Sequence, residues 1–197
     1  MSAKVFDLTG KVVVVTGAAG GIGMAVCRQL GGSGATIVLG DVDKGGLERS
    51  KTELESLGIK CGTFVSNTSI ESEVIAFYQY VSKEFGVPDV LVNNAAQGTH
   101  TPPQDTSLEV WDRVIGTSLT GYFLNAREFA KLVLPAKKLA AIVNISSIAG
   151  SSAIGRGNLA YSTAKGGVNQ FTRELAIEWA KSGIRVNAIQ PCSVNTP

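Results

Sequence analysis

Apolar and polar positions divide this chain into short apolar runs and longer segments in which apolar residues recur every three or four positions. The short runs predict buried strands, and the longer segments predict helices with one apolar face. The predicted strands are 11–15, 35–40, 60–65, 89–93, 140–146 and 184–189. The predicted helices are 24–30, 44–57, 71–85, 107–134 and 161–181.

Strands and helices alternate without a linker or a break in composition. Strands that are apolar throughout are typical of a parallel sheet that helices cover on both faces. We therefore expect an α/β fold, a Rossmann-type doubly wound parallel sheet of about six strands in the order 3-2-1-4-5-6. A single domain over residues 1–197 is expected, since the chain is too short for two ordinary domains.

Composition narrows the class of partner. A hydrophobic content of 44% with 17% charged residues indicates a globular protein. The net charge is +2 and no block of Lys and Arg occurs, so we expect neither a nucleic acid nor a membrane as partner. No apolar run reaches the ~18 residues that a membrane-spanning helix needs, and the first residues lack the apolar core of a signal peptide.

Cysteine and histidine are scarce. Three scattered cysteines predict reduced thiols and a cytoplasmic location, because a disulfide framework needs paired cysteines. With one histidine and no Cys-x-x-Cys pair, we expect no metal site.

A glycine-rich turn follows the first predicted strand, with the sequence Thr16-Gly17-Ala18-Ala19-Gly20-Gly21-Ile22-Gly23. At such a turn, free backbone N–H groups and the dipole of the next helix form an anion site. Gly17 permits the sharp turn, while Gly21 and Gly23 allow a pyrophosphate to approach the backbone closely. The Gly-Lys-Ser/Thr ending of a nucleoside-triphosphate loop is missing, and a simple strand-to-helix connection is the alternative interpretation.

Asp41 follows the second strand, roughly 20 residues beyond the glycine turn, where a carboxylate can accept both ribose hydroxyls of NAD. Its charge would repel the 2′-phosphate of NADP, and neither Gly40 nor Val42 supplies an arginine to hold that phosphate. NAD is therefore expected rather than NADP. The alternative is an aspartate of a surface turn, since Asp43 lies nearby.

Tyr161 and Lys165 are four residues apart on a predicted helix and so share one face. Tyrosine is a poor base near neutrality, with an unperturbed pKa of about 10, and a neighbouring ammonium favours its phenolate. Tyr161 could then exchange a proton with an alcohol or a carbonyl oxygen. An ordinary cation–π or solvated pair is the alternative for these two residues alone.

Further motifs join this pair in a characteristic order: the glycine turn, Asn93-Asn94-Ala95-Ala96 after the fourth strand, and Asn144-Ile145-Ser146-Ser147 after the fifth. Together they closely resemble the short-chain dehydrogenase/reductase family, over nearly the whole chain. The resemblance implies an NAD(H)-dependent oxidoreductase that interconverts a small-molecule secondary alcohol and a ketone by hydride transfer, with a Ser-Tyr-Lys proton relay.

The resemblance also implies roles for individual residues. Tyr161 corresponds to the catalytic acid/base, Lys165 to the residue that favours its phenolate and holds the nicotinamide ribose, and Ser147 to the hydroxyl that orients the substrate oxygen. Ser146 is the alternative to Ser147. The cofactor-contacting positions that it implies are Thr16, Gly17, Ala19, Gly20, Gly21, Ile22, Gly23, Asp41, Val42, Asn93, Ala95, Tyr161, Lys165, Pro191, Val194 and Thr196.

Several positions depart from the family pattern. Ser118 stands where the family usually has an asparagine that anchors a water of the relay, and we include Ser118 among the catalytic candidates. Ser66 replaces an aspartate that commonly contacts adenine. Ala96 and Cys192 replace glycines, which an alanine can do only where φ is negative. These departures leave open an NAD-binding but catalytically impaired relative with a structural or regulatory role.

The resemblance further implies a helix, a substrate lid and a seventh strand after Thr196, and the present sequence ends at Pro197 without them. In the family the helices that correspond to 107–134 and 161–181 form a dimer interface. We therefore expect a homodimer or homotetramer.

Overall fold

The computed structural model describes residues 6–196; residues 1–5 and Pro197, which belong to the predicted domain 1–197, lie outside the described residues. Six parallel strands form one sheet in the order β3-β2-β1-β4-β5-β6, which confirms the predicted fold class and strand order. The strands are β1 (Val12–Thr16), β2 (Thr36–Asp41), β3 (Cys61–Val65), β4 (Val90–Asn93), β5 (Ala140–Ile145) and β6 (Ile184–Ile189). A seventh strand is absent from residues 6–196.

Six α-helices connect and cover the strands: α1 (Gly21–Gly32), α2 (Lys44–Ser56), α3 (Glu71–Phe85), α4 (Leu108–Ile115), α5 (Gly121–Val133) and α6 (Leu159–Trp179). Short 3-10 turns lie at Pro103–Asp105, Ile148–Gly150 and Ala180–Ser182. In the described part of the chain, no helix combines the length and the apolar character needed to cross a membrane. The same residues include no cluster of three His, Cys, Asp or Glu side chains placed to hold a metal ion.

The valines of β1 show why its sequence lacks a polar face. Val13 and Val15 are fully buried against the side of the sheet covered by α1 and α2, where Leu47 belongs to the same apolar cluster. Val14 is fully buried on the opposite side, in the cluster that contains Phe129 of α5. Successive side chains of a strand point to opposite faces, so a strand covered on both sides must be apolar at every position.

The predicted helix 107–134 is interrupted rather than continuous. A single π-helical turn, Gly116–Thr120, joins α4 to α5 without a break in the chain. A π-turn adds one residue to the ordinary α-helical repeat, and such turns occur frequently at functional sites. Fully buried Ser118 lies at its centre.

Helix α1 begins at Gly21 rather than at the predicted Met24. The apolar periodicity starts only at Met24, but the first turn is already closed by the Met24 N–H, which donates to the Gly20 carbonyl at 3.1 Å. The glycine turn therefore leads directly into the helix, as an anion site at a helix N-terminus requires.

Candidate active site

Two adjoining clefts open where the parallel strands end at their carboxyl sides. The β1–β2 cleft, of about 520 Å³, lies beside the glycine turn and Asp41. The β5–α6 cleft, of about 310 Å³, lies beside Tyr161. Asn94 and Ala96 line both clefts, which therefore form one continuous crevice. In open α/β sheets this edge is the ordinary location of a ligand.

The glycine turn has no space for side chains at two of its positions. Gly17 has a φ of +64°, and a Cβ there would lie 2.7 Å from the Ala95 Cα. A Cβ on Gly23 would lie 2.1 Å from the Gly17 carbonyl oxygen. Both distances are far below van der Waals contact, so the turn, the start of α1 and the segment after β4 can pack this closely only through glycine.

Asn94 links the segment after β4 to the glycine turn by hydrogen bonds. Its side-chain amide donates to the carbonyls of Thr16 and Gly17 at 3.0 and 2.9 Å, and the Thr16 Oγ1 accepts from the backbone N–H groups of Asn94 and Ala95 at 3.0 and 3.2 Å. Asn93, the position inferred from the resemblance, is fully buried and donates instead to the Asn144 Oδ1 at 2.9 Å. Asn94 thus belongs to the site, although the sequence motif predicted cofactor contacts only for its neighbours Asn93 and Ala95.

Asp41 is fixed by the backbone around it. Its Oδ2 accepts from the Ala19 N–H at 2.9 Å, and its Oδ1 accepts from the Asp43 N–H at 3.0 Å. Both oxygens keep further lone pairs for ligand hydroxyls. Val42, which is 60% exposed, lines the same cleft. The carboxylate is therefore held at the mouth of the β1–β2 cleft in one orientation.

The floor of the β1–β2 cleft contains an acceptor without a partner. Asn125 is buried, and its amide nitrogen donates to the Thr68 Oγ1 at 2.6 Å and to the Gly121 carbonyl at 2.8 Å, while its Oδ1 has no partner among the described residues. A buried acceptor without a donor is costly. Nothing in the sequence marks Asn125, since it lies within an amphipathic helix without a motif.

Tyr161, Lys165 and Ser147 line the β5–α6 cleft together. Ser146, the alternative to Ser147, lines the same cleft, as do the predicted positions Gly21, Ile22, Pro191, Val194 and Thr196. Neither Ala96 nor Cys192 has a positive φ, so their side chains fit where the family has glycine. Thr16, Gly17, Gly20 and Ala95 line the β1–β2 cleft, while Ala19 and Gly23 shape the turn behind it.

The two serines after β5 differ in their hydrogen bonds. Ser146 is buried and its hydroxyl faces the Asn169 Oδ1 at 2.6 Å and the Lys165 carbonyl at 3.2 Å, so its proton is donated within the core. The Ser147 Oγ accepts from the Ala149 N–H at 3.1 Å. That bond uses a lone pair and leaves the Ser147 proton free for a ligand oxygen. Between the two alternatives, the geometry favours Ser147.

Lys165 is 1% exposed although it lines the cleft. Its Nζ donates to the Ile145 carbonyl at 2.6 Å and to the Tyr122 hydroxyl at 3.0 Å, and lies 5.6 Å from the centre of the Tyr161 ring. Burial lowers the pKa of Lys165 to about 7, because desolvation disfavours the ammonium. The charge of this side chain therefore changes near neutral pH.

The Ser118 hydroxyl is bonded to the loop after β4. Its hydroxyl donates to the Gln97 carbonyl at 3.1 Å and accepts from the Gln97 N–H at 3.0 Å. In the described part of the chain, no hydrogen bond joins Ser118 to Lys165. Ser118 therefore anchors the loop after β4 and is not among the residues that line the β5–α6 cleft, so its role in a water-mediated relay stays a prediction.

The fold and the crevice define a Rossmann-type α/β protein, with a glycine turn after β1 and a Ser-Tyr-Lys cluster at the end of β5. The family model described as short chain dehydrogenase matches residues 11–197. The chain belongs to this family of oxidoreductases, whose members bind nicotinamide cofactors.

Individual dehydrogenases and a crystal structure are also similar to this chain. A 2-dehydro-3-deoxy-D-gluconate 5-dehydrogenase of Formosa agariphila is 35% identical over 97% of this chain and 72% of its own length. A cis-4-hydroxycyclohexanecarboxylate dehydrogenase of Sinomonas cyclohexanicum is 40% identical over 95% of this chain and 74% of its own. The crystal structure of an actinorhodin polyketide ketoreductase with NADPH superposes with a TM-score of 0.92 at 32% identity, covering 100% of this chain and 74% of the ketoreductase. Similar proteins are thus dehydrogenases and reductases with different substrates.

Proposed function

We propose that this chain is an NAD(H)-dependent oxidoreductase that interconverts a secondary alcohol and a ketone in the β5–α6 cleft. The observation that carries the proposal is the meeting of Ser147, Tyr161 and Lys165 in one cleft that continues, past Asn94, into the β1–β2 cleft. The larger cleft is suited to the adenosine part of a dinucleotide, and the smaller one to the nicotinamide and the substrate.

The crevice fits such a cofactor. The glycine turn would hold the diphosphate, and Asp41 and Val42 would hold the adenosine ribose. Pro191, Val194 and Thr196 would border the nicotinamide. When bound, the cofactor supplies the hydride chemistry, and the protein contributes alignment and proton transfer.

The chain's own residues would orient the substrate oxygen and transfer the proton. Ser147, with its hydroxyl proton free, orients the substrate oxygen, and the Tyr161 phenol gives a proton to that oxygen or takes one from it. Lys165, 5.6 Å from the Tyr161 ring centre, supplies a positive charge that favours the phenolate. Ser118, whose hydroxyl is bonded to Gln97, could contribute only through a water between it and Lys165.

Turnover of a panel of secondary alcohols with NAD⁺, followed by the near-ultraviolet absorbance of NADH, tests the proposal. The panel should include cis-4-hydroxycyclohexanecarboxylate, the compound in the name of one relative. We expect oxidation of at least one alcohol. Stabilisation of the fold by NAD⁺ without turnover of any compound would contradict the proposed reaction while supporting cofactor binding.

Replacing Asp41 by Asn should weaken the discrimination against NADP. We expect the ratio of NADP⁺ to NAD⁺ dissociation constants to fall at least about tenfold, because the amide, which keeps an acceptor for one of the two backbone N–H groups, no longer repels a 2′-phosphate. Titration of protein fluorescence with each cofactor measures the ratio. An Asp105→Asn variant, altered outside both clefts, is the control. An unchanged ratio in Asp41→Asn would show that Asp41 does not select the cofactor.

We also propose self-association as a homodimer or homotetramer through α5 and α6. An apolar groove of about 420 Å³ runs between these helices, lined among others by Phe123, Phe171, Leu175 and Trp179. Phe123 is 46% exposed although it is a large apolar side chain. A second copy of the chain would cover this groove, as the family resemblance implies.

Leu175→Asp should shift the protein to monomers, because it places a charge in the lining of the apolar groove. Sedimentation velocity measures the change, with Thr52→Asp on the exposed face of α2 as the control. A wild-type protein that sediments as a monomer would contradict the proposal.

Three unpaired cysteines, at positions 27, 61 and 192, support our further proposal of a reducing compartment such as the cytoplasm.

A further inference from the structure

Lys165 lies on α6, and its ammonium group is hydrogen-bonded to a residue of α5. The Tyr122 hydroxyl, on the first turn of α5, accepts from the Lys165 Nζ at 3.0 Å, and the Nζ lies 4.8 Å from the centre of the Tyr122 ring. Tyr122 is fully buried, and its own hydroxyl proton is donated to the Ile145 carbonyl at 2.9 Å. Lys165 also donates to the Ile145 carbonyl. Three groups thus form a closed triangle beneath the β5–α6 cleft.

We propose that Tyr122 is a positioning residue that fixes the Lys165 ammonium beneath Tyr161 and keeps it protonated in a buried site. Because the Tyr122 proton is directed to Ile145, the lone pairs of the phenol oxygen are left for Lys165. This proposal rests on the function proposed above, because that function gives Lys165 its part in proton transfer.

The Tyr122 hydroxyl is important because Lys165 has few other groups around it that can accept a hydrogen bond or balance its charge. The titratable groups that face it are Tyr122 from α5 and Tyr161 from its own helix, and β5 contributes only the Ile145 carbonyl. Among residues 6–196, no carboxylate forms an ion pair with it. A buried cation without a counter-ion depends on each acceptor that it has. The pKa of Lys165 is already lowered by burial, so losing Tyr122 should lower it further.

The lysine can be titrated directly, without cofactor or turnover. In protein labelled with lysine enriched in ¹³C at the ε position, the resonance missing from Lys165→Met belongs to Lys165. We expect its midpoint near pH 7 in the wild type and about one pH unit lower in Tyr122→Phe, since a hydrogen bond to a charged group is lost. An unchanged midpoint would overturn the proposal.

Tyr78→Phe is a matched control. Tyr78 is also buried, on α3, but its hydroxyl has no hydrogen-bond partner among the described residues. We expect this variant to leave the Lys165 midpoint unchanged. Thermal unfolding checks that both tyrosine variants keep the fold, and Tyr122→Leu serves as a second deletion of the hydroxyl. A shift of similar size in Tyr78→Phe would show a general packing effect and would also overturn the proposal.

Ketone reduction with NADH provides a second readout. We expect the high-pH limb of kcat to move to lower pH in Tyr122→Phe, with rates approaching those of the wild type at acidic pH. A loss of kcat that is equal at every pH would indicate a structural defect and contradict the proposal. If the wild type itself reduces no ketone, the proposed function fails, while the resonance titration still decides the role of Tyr122.

Discussion

Tyr161→Phe should lower kcat by about 10²- to 10⁴-fold, the contribution expected of a positioned acid or base. The substitution removes only the phenol oxygen, and the ring that packs beside Lys165 in the β5–α6 cleft remains. We therefore expect cofactor affinity to change far less than turnover. Steady-state kinetics and a fluorescence titration with NADH separate the two effects.

Tyr80→Phe is the control for this prediction. Tyr80 lies on α3, where its ring packs against Phe64 and Phe85, away from both clefts. Removing its hydroxyl should leave kcat unchanged. Equal rates in the wild type and in Tyr161→Phe would remove Tyr161 from the chemistry, and with it the proton transfer proposed for the Ser-Tyr-Lys cluster.

Gly23→Ala should disrupt the glycine turn that borders the crevice. The added Cβ would lie 2.1 Å from the Gly17 carbonyl oxygen and 2.7 Å from the Asn94 amide nitrogen, so the glycine turn or the start of α1 must move. Overpacking of this kind costs about 1–3 kcal/mol of stability, and more where the backbone itself must shift. We expect a lower melting temperature and the loss of stabilisation by NAD⁺.

Gly32→Ala gives the matched comparison, because Gly32 is the last residue of the same helix and a Cβ there meets nothing within 4 Å. Alanine is the better helix former by up to about 1 kcal/mol, so this variant should be as stable as the wild type or more stable. Differential scanning calorimetry with and without NAD⁺ compares the two. A Gly23→Ala variant that keeps wild-type stability and NAD⁺ binding would show that the turn adapts to a side chain.

Much of the fold could be read from the sequence because the sheet is buried on both faces. The run Val12–Thr16 has no polar alternation, and only a central strand between two helical layers permits that. The strand order followed from the same rhythm of strands and helices. Residues four apart on a helix share a face, and Tyr161 and Lys165 indeed line the same cleft.

The features that could not be predicted depend on contacts between distant segments. No local pattern distinguishes Asn94 from Asn93, yet one amide ties the glycine turn and the other lies in the core. The same holds for Ser146 and Ser147, whose hydrogen bonds differ because Asn169 accepts from only one of them. Such assignments require knowing which element packs against which, and periodicity within one segment does not contain that information.

The π-turn Gly116–Thr120 fixes the angular phase between α4 and α5. Deleting one residue from it would restore the ordinary α-helical repeat and rotate the residues on one side by about 100° relative to those on the other. Ser118 and Tyr122 could then no longer reach Gln97 and Lys165 at the same time. This stretch should therefore tolerate changes of side chain far better than changes of length, and an insertion or deletion there should be more damaging than any single substitution within it.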